Sequence, residues 1–130
     1  PLLQYLGMKT ELKAVDSNPM DAALTLRNAE LTATQLEQPL YKASLLLLIC
    51  EQLAETQLPR AKTIHAQIDI HSIEAIEAPS ARRVVAKWWE VKSMFDDRER
   101  VMSLREAILR YRSVGCPNRA RLLSRRLHSV

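Results

Sequence analysis

Glycine is almost missing from this sequence: Gly7 and Gly115 are the only two. A loop that cradles phosphate on backbone N–H groups, or a tight nucleophile elbow, needs glycines clustered in a short span, so both are excluded. Cysteine is nearly as scarce. Cys50 and Cys116 are too few for a disulfide scaffold, which favours a reducing cytoplasmic or nuclear setting. Aromatic residues make up 5%, with a single phenylalanine, which is thin for a surface that stacks nucleic-acid bases. The longest apolar run, Leu45 to Cys50, falls far short of the roughly 20 residues that cross a bilayer. With no signal peptide visible either, no membrane partner is expected.

What remains is the vocabulary of helices. The chain has 130 residues, 47% of them hydrophobic, which is enough for one domain with a core of its own. Alanine, leucine, arginine and glutamate dominate, and these residues lose least on entering a helix. The expected fold class is all-α, with six or seven helices. The net charge of +4 is unevenly placed. Residues 1–65 carry a net of −1 and residues 66–130 a net of +5. From Arg98 onward every Lys/Arg position is arginine, and the last segment holds Arg119, Arg121, Arg125 and Arg126 without an acid. Such a face is either a solvated helix surface or a contact for an acidic protein or nucleic acid.

Prolines punctuate the chain. Residues Pro1 to Val15 predict a short helix broken at Gly7. Ser17-Asn18-Pro19 predicts a helix start, since a capping side chain precedes a proline whose missing N–H costs nothing there. The helix that follows covers Met20 to Leu36, with Ala23, Leu24, Ala29 and Leu31 apolar. Gln38-Pro39 opens a helix over Leu40 to Glu55 that is apolar around nearly its whole circumference, as in a helix buried on most sides. Pro59 opens another over Arg60 to Ile68, with Ala61, Ile64 and Ile68 on one face. Ile70, Ile73 and Ile76 favour a helical or irregular packed segment over a strand. A helix over Ala81 to Phe95 carries Val84, Val85, Trp88, Val91 and Phe95. Asp96 with Glu99 reads as a capping box for a helix ending near Val114, with Val101, Leu104, Ile108 and Tyr111 towards the core. Gly115 suits a left-handed cap, and Pro117 starts the last helix, with Ala120, Leu123, Leu127 and Val130 inward. The abrupt apolar start predicts a piece of a larger helical array.

One segment occurs twice. Residues 44–71 and 103–130 align without a gap, sharing Ser44/Ser103, Leu45/Leu104, Ile49/Ile108 and the pairs Arg60-Ala61 and Arg119-Ala120. Each reads as an apolar helix, a turn, and a second helix opening on Arg-Ala, the pattern of a helical-hairpin repeat. The hairpins Tyr41–Ile68 and Val101–Leu127 resemble tetratricopeptide-type repeats in their small or apolar first-helix positions, their turn and their Arg-Ala opening. Two departures stand out. Thr56 replaces the turn glycine of the first hairpin, and the period exceeds one such repeat, so the helix Ala81–Phe95 is an insertion or a degenerate repeat. The tail from Glu99-Arg100-Val101 through Val114-Gly115 to Arg126-Leu127-His128 is similar to the C-terminal repeats of the fifth subunits of the anaphase-promoting complex. These resemblances imply a right-handed superhelix of antiparallel hairpins and a non-catalytic scaffold, in the second case a cell-cycle ubiquitin-ligase subunit.

No linked nucleophile, base and oxyanion donor is legible, so an enzyme is not expected, nor a cofactor. His65 and Asp69 share a helix face, and His71 follows, but this set falls short of a zinc site. Cys50 reads as a small core residue and Cys116 as a partly exposed thiol beside a helix start. The adjacent Trp88 and Trp89 point about 100° apart on a helix. They either pack between repeats or anchor a partner, with Arg82 and Arg83 flanking them. The expected protein-binding residues are Trp88, Trp89, Arg82, Arg83, Arg112 and Arg119, facing acidic protein subunits or peptide segments. The alternative is a nucleic-acid-binding domain using Arg119, Arg121, Arg125 and Arg126, in which only Asn118 and Ser124 could read base edges. A small helical chaperone or adaptor is a further reading.

Overall fold

The computed structural model describes residues 1–13 and 19–129. Among them it holds eight α-helices and no strand. They are α1 (Leu2–Lys13), α2 (Pro19–Gln35), α3 (Pro39–Leu53), α4 (Leu58–Ala66), α5 (Ile70–Glu74), α6 (Pro79–Lys92), α7 (Asp97–Ser113) and α8 (Pro117–His128). The count is one above the six or seven that the sequence predicts. Ile70–Glu74 closes into a short helix, capped by the Asp69 carboxylate, which accepts from the Ser72 amide and hydroxyl. Residues 2–13 form one uninterrupted helix. The expected break at Gly7 does not occur, because a lone glycine costs only about 1 kcal/mol relative to alanine. Burial of Tyr5, Met8 and Leu12 along one face of α1 offsets that cost. Ser17, Asn18, Val15 and Val130, singled out in the sequence, lie outside the described residues.

Proline stands at the first or second residue of α2, α3, α4, α6 and α8, where its fixed φ matches the helix. Gln38 caps α3 by accepting from the Leu40 and Tyr41 amides. Asp96 caps α7 by accepting from the Arg98 amide at 2.9 Å, while Glu99 pairs with Lys92 at 3.6 Å. The two inter-helix turns of the duplicated segment end differently. Gly115 has φ 75°, with its own N–H bonded to the Arg112 carbonyl and the Cys116 N–H bonded to the Tyr111 carbonyl. This is a Schellman ending, which needs a left-handed residue. At the other turn Thr56 and Gln57 both donate to the Leu53 carbonyl. No non-glycine residue there or elsewhere among the described residues has positive φ, so Thr56 fits without strain.

The chain divides into two compact units, residues 1–68 and 69–130. In the first, α3 is the central element and packs against α1, α2 and α4. Leu45, Leu47, Ile49, Cys50 and Leu53 are buried along it, as its nearly continuous apolar circumference predicts. The Tyr5 ring stacks on Tyr41 at 5.0 Å, and its hydroxyl lies 2.7 Å from Ser44 Oγ, fixing α1 on α3. Cys50 Sγ donates to the Ala61 carbonyl at 3.4 Å, and burial, with Glu51 adding to it, pushes its pKa up to about 12. It is a core thiol.

In the second unit α5 packs on α6, α6 on α7, and α7 on α8. The core joins Ala86, Leu104, Ala107, Ile108, Tyr111, Ala120 and Leu123, with Trp89, Cys116 and Leu127 packed against it. Val101 departs from its expected place on the core face and is 37% exposed. It sits two residues before the buried Ser103, where the helix has turned to solvent. On α2 Ala29 and Ala33 are buried, as is Leu36 just beyond its end, whereas Leu24 and Leu31 are exposed. No helix among the described residues is long and apolar enough to cross a membrane.

The two glycines respond oppositely to alanine. A Cβ on Gly7 would meet nothing within 4 Å inside a helix, so Gly7→Ala is expected to stabilise by about 0.5–1 kcal/mol. Gly115→Ala places a side chain at positive φ and is expected to destabilise by about 1 kcal/mol or more. Urea unfolding of the two variants, with the midpoint moving up for one and down for the other, checks both.

Candidate functional site

The second unit is built around a carboxylate in its core. Glu90 lies near the end of α6 and is only 1% exposed. An unmet carboxylate there would cost several kcal/mol, so the donors around it decide whether the unit folds. Tyr111, from α7, donates its hydroxyl to Glu90 Oε1 at 2.8 Å. Arg119, the third residue of α8, donates Nε to Oε1 at 3.0 Å and Nη2 to Oε2. Lys87, one turn back on α6, brings Nζ to 3.6 Å from Oε2. Both carboxylate oxygens are therefore engaged, and one side chain ties three helices together.

The electrostatics agree. Burial raises the Glu90 pKa, but the Arg119 hydrogen bonds and the charges of Lys87 and Arg119 outweigh it, and the net shift is downward. Hydrogen bonding to Glu90 raises Arg119 against the opposing effect of burial. Burial, and then the Glu90 charge, push the Tyr111 phenol up, so it stays a donor. The cluster holds a fixed ion pair rather than a proton in transit.

The first unit carries the same pair in an exposed version. Arg60 is the third residue of α4, and its guanidinium donates to Glu30 of α2 through Nε and Nη2. Its side chain is 53% exposed. In both units the alanine after the arginine, Ala61 or Ala120, is fully buried. The duplicated Arg-Ala thus has a local physical meaning: alanine seats the helix and arginine reaches back to a glutamate on an earlier helix. The glutamates escaped the sequence reading. Each Arg-Ala does have an acid at a similar distance before it, Glu30 at 30 residues before Arg60 and Glu90 at 29 before Arg119, one residue out of register.

Trp88 and Trp89 are both half-buried. Their rings meet edge-on at 5.0 Å and 87°. Lys92 lies over both, at 5.3 and 5.1 Å from the ring centres, and the Arg110 guanidinium lies 5.6 Å from Trp89. Trp89 packs on the core, and its Nε1 is buried without a hydrogen-bond partner among the described residues. Arg82 is exposed on α6 and joins Arg110, Glu74, Ile73, Ile76 and Val85 around a cavity of about 210 Å³. Arg83 and Arg112 are exposed and share no contact with that cavity. The structure therefore brings together Trp88 with Trp89, and Arg82 with Arg110, while Arg119 is engaged by Glu90.

On α8, Arg121, Arg125 and Arg126 are exposed, and Arg121 donates to the Asn118 side chain. His65 is buried, Asp69 caps α5, and His71 is exposed. Among the described residues no group of three or more His, Cys, Asp or Glu could hold a metal ion. Cys116 is partly exposed at the N-cap of α8.

Removing one partner of a buried pair leaves the other uncompensated. Arg119→Ala is expected to destabilise the second unit by about 3 kcal/mol, whereas Arg60→Ala, at an exposed pair, leaves stability nearly unchanged. The pH dependence follows from the downward shift of Glu90 from its ordinary 4.5. Below 4.5 the unfolded chain takes up the proton first, so stability rises with pH across this window. It is complete at neutral pH and lost as the pH falls through the folded value. Glu90→Gln flattens that acid limb. Urea midpoints of the three variants across pH 3–7 check both statements.

No protein-family model matches this chain, and neither a curated protein nor a solved structure matches it, so the functional reading rests on these residues.

Proposed function

We propose that this chain is a non-catalytic protein-interaction module, a scaffold or adaptor within a larger assembly. On this reading its helices continue a right-handed, tetratricopeptide-like array of antiparallel hairpins. The observation that supports it most is the state of Glu90. The buried carboxylate, the kind of group that does acid–base work in a cleft, is saturated by Tyr111, Arg119 and Lys87 and serves to join helices. Around this fixed frame the second unit exposes Met94, Met102, Leu109 and Leu122 together with a surplus of arginines, a combination suited to an acidic protein surface. Arg82, Arg83 and Arg112, with the exposed edges of Trp88 and Trp89, are the contact residues. Duplication of the Arg-Ala-to-Glu arrangement supports a repeat in which the buried pair is the stronger copy. The likeness of the tail to ubiquitin-ligase scaffold subunits points to the same role, in the cytoplasm or nucleus.

One observation favours a second reading. α8 carries Arg121, Arg125 and Arg126 outward with no acid in the helix, which suits phosphate contacts. Affinity purification from lysate separates the two. Under the scaffold reading, the wild-type chain retains a defined set of proteins after nuclease treatment, and Arg121→Glu/Arg125→Glu still retains them. Capture that disappears with nuclease and with those substitutions overturns it in favour of nucleic-acid binding.

A further inference from the structure

The outward face of α7 has a regular pattern that the fold leaves unused. Arg98, Met102, Arg105, Leu109 and Arg112 follow one another at alternating steps of four and three residues. That spacing keeps them on one side of a helix, as the seam of a two-helix coiled coil does. Here every other seam residue is an arginine and the ones between are apolar. Met102 is 48% and Leu109 60% exposed, and the three arginines are exposed as well. Val101 widens the apolar stripe on one edge.

The arginines are also unmatched. The acids of α7 that form ion pairs are occupied elsewhere: Glu99 with Lys92 and Glu106 with Arg110. Arg98, Arg105 and Arg112 have no carboxylate partner among the described residues. A repeating cation in a helical seam, without an ion-pair partner among the described residues, calls for anions at the same period on a facing helix.

The duplicated segment supplies a second observation. In the ungapped alignment Leu109 and Arg112 correspond to Cys50 and Leu53 of α3, and one residue before it begins Met102 corresponds to Ala43. Those three are buried, and α3 is packed by three helices of its unit, whereas in its own unit α7 packs mainly on α6 and α8. At these three positions the face is closed on α3 and open on α7.

We infer that this face of α7 docks an amphipathic helix of a partner protein, with glutamate or aspartate opposite Arg98, Arg105 and Arg112 and leucine-like residues over Met102 and Leu109. This rests on the scaffold reading and names the chemistry of its partner. Polynucleotide fits less well, because Met102 and Leu109 stand where phosphates would follow the arginines. An anionic membrane surface fits less well too, because an arginine interrupts the apolar stripe at every turn.

The test uses the full chain and two designed helical peptides long enough to span α7. Both carry leucine at one seam position; the other seam position is glutamate in one peptide and lysine in the other. Fluorescence anisotropy is expected to show the glutamate peptide binding at least about tenfold more tightly than the lysine peptide. The variant Arg98→Glu/Arg105→Glu/Arg112→Glu is expected to reverse that preference, which a merely misfolded chain would not do. Equal binding of the two peptides, or a preference that survives the charge reversal, overturns the inference. So does binding of duplex DNA or anionic vesicles with loss on reversal and no peptide preference. The purification that tests the scaffold reading scores retained proteins on wild-type α7, so that reading can stand while this one fails.

Discussion

The second unit depends on keeping one carboxylate charged inside apolar surroundings. Glu90 is a poor residue for its position by every local rule. It lies in the core, and it lies near the C-terminal end of α6, where the helix dipole disfavours an anion. Arg119 is equally misplaced by itself, a cation in the first turn of α8. Each removes the other's penalty, and Tyr111 satisfies the remaining direction of Oε1. The pairing ties the start of α8 to the end of α6. The turn prepares this, because Gly115 ends α7 in a left-handed residue and Pro117 restarts the chain two residues before Arg119.

The exposed copy of the pair shows what burial adds. Arg60 and Glu30 make the same two-nitrogen contact, but water screens it, and α4 is held instead by Ala61, Ile64 and the Cys50–Ala61 bond. The leucine-rich α3 gives the first unit an apolar core that needs no charged clamp. The second unit has a smaller apolar core, and a buried ion pair ties its last helix to α6. Arg98, Arg105 and Arg112 of α7 and Arg121, Arg125 and Arg126 of α8 are left exposed, where their charge is available to a partner.

Much of this was legible in the residues. Proline marked the starts of most helices and Gly115 the stop of α7, since both act directly on backbone geometry. The near-complete apolar circumference of α3 announced its central place. Where the reading missed, tertiary packing outweighed a local preference. Gly7 stays helical because Tyr5, Met8 and Leu12 are buried around it, and α5 forms because Asp69 caps it and Ile70 and Ile73 are buried. Val101 has helical spacing with Leu104 and Ile108 but falls at the edge of the stripe. Of the candidate site, the tryptophans and arginines were visible as residue types. Their division into engaged and free was not, because a charge on a sequence carries no sign of the partner it will meet. Nothing in the sequence set Glu90 apart from the other acids.

The central claim is that Glu90 holds α6, α7 and α8 as one body. Native-state hydrogen exchange of wild type and Glu90→Gln at neutral pH tests it most directly. Amides of α8 and the last turns of α7 are expected to lose protection together in the variant, while those of α3 and α4 keep theirs. Unchanged protection in α8, or an equal loss in both units, would contradict it.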